Sequence, residues 1–221
     1  MAVNINTFKL FVEFCQNKVQ VGNTVTPSQF NLLCNQAQLT KFEYDRQLFI
    51  ATNEISNYLA LFLKKSIINV PSSGEISYPD DWQHTSAVRS YYPLPRGKSV
   101  EVEVKESKDK SWGEVMTSQL LKPTRRFPKF MQFSGQFRFL PRDIGIVMLD
   151  YFSTPVTPNW AYTIVSGRPV YDPINSVDFQ WNTFALNEIA MIYLQLIGIN
   201  IKDSALSEFA VSFQQETKAT L

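Results

Sequence analysis

The sequence predicts an α+β fold, with N- and C-terminal helices packed around a central antiparallel β-rich core that is sandwich-like or barrel-like. Three observations predict it. Eleven of the twelve prolines lie between Pro71 and Pro173, which leaves both ends free for helices. At those ends apolar residues recur every three or four positions, the helical period. In the middle the period drops to two, as in strands with one dry face. The division expected is a helical region over 1–70, a β-rich region over 71–175 and a helical region over 176–221, within one integrated domain. With 44% apolar residues and 17 phenylalanines the chain can bury a sizeable core, which argues against wholesale disorder.

In order along the chain, Phe8, Phe11, Val12, Cys15 and Val19 fall on one helical face. A second helix opens at "TPSQF", where Thr26 is a good N-cap and Pro27 takes the first helical position. Its stripe is Phe30, Leu33, Cys34 and Ala37. Cys15 and Cys34 lie in these stripes, so both are expected reduced and core-facing. Ile55, Tyr58, Leu59, Phe62 and Leu63 predict a third helix over about Glu54–Ile68, ended by Pro71. In "KSVEVEVKES", Val100, Val102 and Val104 alternate with polar residues, a strand with one dry and one wet face. A short helix is expected around Trp112–Leu121. Then "GQFRFLPRDIGIVMLDYFSTP" reads as two apolar strands joined in a hairpin by Pro141-Arg142-Asp143. Met131, Phe133, Phe137 and Phe139 are assigned to one face, and Gln132, Ser134, Gln136 and Arg138 to the other. The strand Ile146–Phe152 is apolar on both faces except at Asp150, so both faces should be covered. A helix capped by Asn182 or Thr183 and stopped at Gly198 is apolar nearly all round, hence buried in its domain or between subunits. A last helix is expected after Asp203, with Leu206, Phe209, Ala210 and Phe213 on one face.

Charge is nearly balanced, 21 basic against 20 acidic residues, which argues against a dedicated nucleic-acid binder. The opening "MAVNINTFKL" lacks a secretory pattern, and the most apolar window is interrupted by Lys64 and Lys65. The expectation is a soluble chain with no membrane partner.

Candidate chemistry is sparse. Asp80, Asp81 and the single histidine, His84, could offer three ligands to a metal for a hydrolase or nuclease, with Asp80 and His84 on one helical face. The competing reading, and the favoured one, is a capped turn at "PDDW". No nucleophile elbow or phosphate-cradling glycine loop accompanies them. No catalytic residue, metal site or cofactor is therefore expected, and the chain is read as a non-enzyme. The strongest electrostatic feature is "LLKPTRRFPKF", with Lys122, Arg125, Arg126 and Lys129 interleaved with Phe127 and Phe130. It reads as a solvated connector anchored by its phenylalanines, as a subunit interface, or as a phosphate-contacting loop of a nucleic-acid-binding module.

The stretch "RFPKFMQFSGQFRFLPRDIGIVMLDYFSTPVTPNW" resembles a module of the adaptor and neck proteins of tailed bacteriophages. The matching features are Phe139-Leu140-Pro141, Ile146 to Leu149, then Tyr151 and Pro155, with "YPDDWQHTSAVR" upstream. Downstream, Asp178, Phe179, Trp181, Glu188 and the stretch from Gly198 to Asp203 resemble the C-terminal segment of neck proteins from crAss-like phages. The resemblance spans roughly residues 78–215. It implies a structural virion protein, a cyclic homo-oligomer of about twelve subunits stacked beneath the portal at the head–tail junction of a podovirus-type virion. Its implied partners are copies of itself, the portal, and other neck and tail rings. Genome DNA would pass through its channel without sequence-specific binding. The place implied is the virion, with host cytoplasm during assembly. Lys122, Arg125, Arg126, Lys129, Pro141, Arg142 and Asp143 are the candidate interface, with Pro141-Arg142-Asp143 as a projecting tip for another ring.

Overall fold

The computed structural model describes residues 4–19, 25–94, 97–107, 109–118, 120 and 122–201. The helix expected after Asp203 lies outside the described residues. The fold class is α+β, with helices towards both ends and a β core. It divides into two units, one made of residues 1–61 and 155–221, the other of Phe62–Thr154. The cut differs from the three-part reading at 70 and 175: residues 155–175 belong with the helices.

In the first unit, Asn4 caps helix α1 (Ile5–Val19) by accepting from the N–H groups of Asn6 and Thr7. Asp178 accepts from the N–H of Ile5 at 2.8 Å, adding a carboxylate beside the neutral Asn4 cap at the same helix start. Helix α2 (Pro27–Thr52) opens with a capping box, Gln29 N–H to Thr26 Oγ1 and Thr26 N–H to Gln29 Oε1. It ends at Asn53, whose φ of 59° puts it in the left-handed region. After helix α3 (Asp109–Thr117) of the second unit comes the long helix α4 (Thr183–Ile201), capped by Asn182, which accepts from the Ala185 N–H. Gly198 does not stop it: a mid-helix glycine costs only about 1 kcal/mol, and burial along the helix through Ile197 outweighs that. As its all-round apolar pattern requires, α4 is buried on most sides, against α1 and α2. The core holds Phe8, Phe30, Phe179 and Tyr193, with ring centroids 4.8–6.4 Å apart. Cys34 is buried and Cys15 half-buried, neither in a disulfide. Strands β9 (Tyr162–Val165) and β10 (Arg168–Tyr171) form a separate hairpin through Ser166-Gly167.

The second unit is a sandwich. One sheet has the order β1-β8-β3-β4, built from β1 (Leu63–Asn69), β3 (Trp82–Pro93), β4 (Ser99–Glu103) and β8 (Ile146–Ser153). The other has the order β2-β7-β6-β5, from β2 (Glu75–Ser77), β5 (Lys105–Glu106), β6 (Lys129–Phe133) and β7 (Gln136–Leu140). All neighbours are antiparallel except β5 and β6. Both sheets feed one core, which includes Val88, Val147, Leu149 and Tyr151 from the first and Phe130, Phe137 and Phe139 from the second. The sheets do not close into a barrel. Helix α3 spans Asp109–Thr117, shorter at its end than the Trp112–Leu121 expected.

Four sequence expectations are corrected here. The helix over 54–68 does not form: a 3-10 turn at Leu59–Phe62 leads into β1, because β8 supplies a seven-pair ladder and Ile67 and Ile68 suit a strand. Strands β7 and β8 are not a hairpin. Their connection turns at Pro141–Ile144, plants Ile144 in the core and carries the chain into the opposite sheet. Met131 and Phe133 do not share the face of Phe137 and Phe139; Phe130 and Gln132 do. Ser134-Gly135 is a two-residue turn that pairs Phe133 with Gln136 and Phe130 with Phe139, and cross-strand partners share a face. The dry face of β4 is dry only near Val104, since β4 is an edge strand and Val100 is exposed. Strand β8, by contrast, is buried on both faces as its composition demands. Asp150, its one charged residue, pairs with Arg89, which also donates to Glu101 at 2.8 Å.

Candidate interaction surface

Two loops of the second unit carry the candidate interface. The first runs from Lys122 to Phe127. Thr124 and Phe127 close it by donating backbone N–H groups to each other's carbonyls, at 3.3 and 3.0 Å. Pro123 and Pro128 are buried on either side, so Arg125 and Arg126 are thrust outward at the turn. Phe130 anchors the segment in the core, but Phe127 does not: it is 68% exposed, with the Arg126 guanidinium 5.6 Å from its ring centroid. Lys129 lies on β6, half-buried and outside the loop.

The second loop is Pro141-Arg142-Asp143, which follows a cis Leu140–Pro141 bond. Arg142 and Asp143 are exposed. The structure brings the two loops together, for Arg125 donates to Asp143 Oδ2 from Nε at 3.0 Å and from Nη2 at 2.8 Å. Both partners are half-exposed or more, so the pair adds at most about 1 kcal/mol; it sets geometry more than stability. Arg142 also packs on the turn before β2. A Cβ added to Gly74 would sit 3.1 Å from Arg142 Cγ and 3.0 Å from the carbonyl oxygen of Phe139. The result is a cationic surface, Arg125, Arg126 and Arg142 with Lys122 exposed beside it, around a bare aromatic ring.

Asp80, Asp81 and His84 do not gather. Trp82 N–H bonds to the Pro79 carbonyl at 2.9 Å, closing a turn, and His84 follows in the extended strand β3, so no helical face unites them. Asp81 is a tie instead. Its carboxylate pairs with Lys64 on β1 and accepts from Tyr151 on β8 at 2.9 Å. The Lys64 hydrogen bond, opposed by burial and helped by Tyr151, holds the Asp81 carboxyl below its ordinary value. Burial and the Asp81 contact push the Tyr151 hydroxyl up to about 12. Among the described residues no group of three or more His, Cys, Asp or Glu side chains could hold a metal ion, and no helix is long and apolar enough to cross a membrane.

Sequence reasoning missed a buried ionic cluster in the first unit. Lys41 on α2 places its ammonium 2.7 Å from both Asp45 Oδ1 and Glu188 Oε2, under the ring of Tyr58. Asp45 Oδ2 is buried with no partner. Burial works against the Lys41 charge, but the two carboxylates together raise its value; burial also pushes Asp45 up, more than Lys41 offsets. The signal was there in the spacing, because Cys34, Gln38, Lys41 and Asp45 continue the buried stripe of α2. No protein-family model matches the chain, and no curated protein matches it either.

Proposed function

We propose that this protein is a structural ring subunit of the head-to-tail connector of a tailed bacteriophage, assembling cyclically beneath the portal and leaving a channel for genome DNA. One observation carries the reading that the chain works in an assembly: large apolar side chains stand bare on both units. Leu120 is 96% exposed, Ile174 89%, Phe184 74%, and Leu32 and Ile67 69% each, beside Phe127 at the cationic surface. A chain that worked alone would gain nothing from so much apolar exposure, whereas ring neighbours cover it. The phage assignment rests on the likeness of residues 78–215 to neck and adaptor proteins. The loops at Arg125–Phe127 and Pro141–Asp143 are then a docking face for an adjacent ring. The near-neutral net charge of +1 suits a conduit through which DNA must slide.

Sedimentation velocity of the full chain, alone and mixed with portal particles, tests this reading. A large cyclic oligomer, free or templated by the portal, is the expected result. A chain that stays monomeric in both settings overturns it.

A further inference from the structure

We propose that strand β9 of one copy adds to the open edge of β4 in the next, so that a projecting hairpin links successive copies. The inference rests on the ring reading above and names the contact. The hairpin β9–β10 is a two-stranded sheet with residues 162–170 all exposed, Ile164 and Val165 among them. Two strands alone are marginal in water. Asp172 N–H bonds to the Ala161 carbonyl, so by alternation Thr163 faces Val170 and Val165 faces Arg168 as hydrogen-bonded pairs. Tyr162 and Ile164 therefore aim their backbone groups away from the hairpin on one edge. On the other edge the matching position is Pro169, which has no N–H to give. Only the β9 edge is complete.

The receiving edge follows from the same count. Leu94 N–H bonds to Lys98 and Val104 N–H to Val88, so Ser99, Glu101 and Glu103 aim their backbone groups off the free side of β4. Charge selects β4 over the other long edge, β1, which carries Lys64 and Lys65. Arg168 is the hairpin's one charge, and β4 offers Glu101 and Glu103. Parallel pairing with Ile164 beside Val102 satisfies both faces. Tyr162 and Ile164 then cover Val100 and Val102, and Val165 falls beside Glu103, with Arg168 next in the same cross-strand row. The contact joins different surfaces of two copies, so it propagates around a ring.

The test uses the full chain in sedimentation velocity. Ile164→Pro removes the outward N–H and none of the hairpin's own bonds. Arg168→Glu reverses the charge, and Arg168→Glu with Glu103→Arg restores complementarity. Each single variant is expected to weaken self-association about tenfold or more, and the double variant to recover it. Variants that assemble like the wild type overturn the hairpin contact and leave the ring reading standing. A wild type that stays monomeric both alone and with portal particles overturns both, and recovery absent from the double variant overturns the charge pairing on which the choice of β4 rests.

Discussion

Asp45 enters a buried site in which one ammonium serves two carboxylates. Its folded-state value is raised, chiefly by burial, so its ionised form weakens the fold. The stability it contributes is fully present below the ordinary carboxylate range of about 4 and is lost as pH rises through the raised value. Asn fills the same volume and cannot ionise. The thermal midpoint of the wild type, measured against Asp45→Asn, should therefore climb as pH falls from about 7 towards about 4. A difference that stays flat or shrinks over that window sinks this account of the cluster. Lys41 is the residue that makes the site tolerable, because without it two carboxylates would be left in a dry place.

The turn between β1 and β2 hangs on Gly74, at φ 77°, a conformation that L side chains rarely adopt. Its N–H bonds to the Pro71 carbonyl, and its own carbonyl accepts from Phe139 at 2.7 Å, tying the turn to β7. The added Cβ of Gly74→Ala would press on the Phe139 carbonyl, which is backbone and cannot swing aside. That change should cost about 1–3 kcal/mol, read as a lower urea midpoint; an unchanged midpoint refutes it. Element boundaries were legible in the sequence where the signal is local. Thr26 caps the helix it was expected to cap, α4 is capped by Asn182, one of its two candidates, and β8 is as dry as its residues say. Faces and partners were not, because those depend on chain far away. Nothing near Ile67 announces β8 as its neighbour, and the turn at Ser134-Gly135 resets the count of faces between Phe133 and Phe137. The candidate surface was legible as two separate loops; that Arg125 meets Asp143, 18 residues on, follows only from the crossing between sheets.

At the scale of the molecule, Phe62–Thr154 is an insertion into the helical unit. The cluster at its centre is built from its own strands and connections, so a chain cut to those residues should fold by itself. Cooperative urea unfolding and a near-ultraviolet dichroism signal from the fragment are expected; a gradual transition without that signal would contradict it. The two ends of the insertion also meet, for Leu63 pairs with Phe152 and Ser153 Oγ donates to the Phe62 carbonyl at 3.3 Å. That adjacency has a mechanical meaning. Tension passing through the chain from one half of the helical unit to the other enters the insertion at this shared end. It loads the β1–β8 ladder one pair at a time, as a zip is opened, rather than all pairs at once. Ladders pulled this way part at low force. Complete opening would pay out the 93 residues of the insertion, about 300 Å of extended chain, so the two segments of the helical unit would stay tethered over a long reach once their helices had been pulled apart.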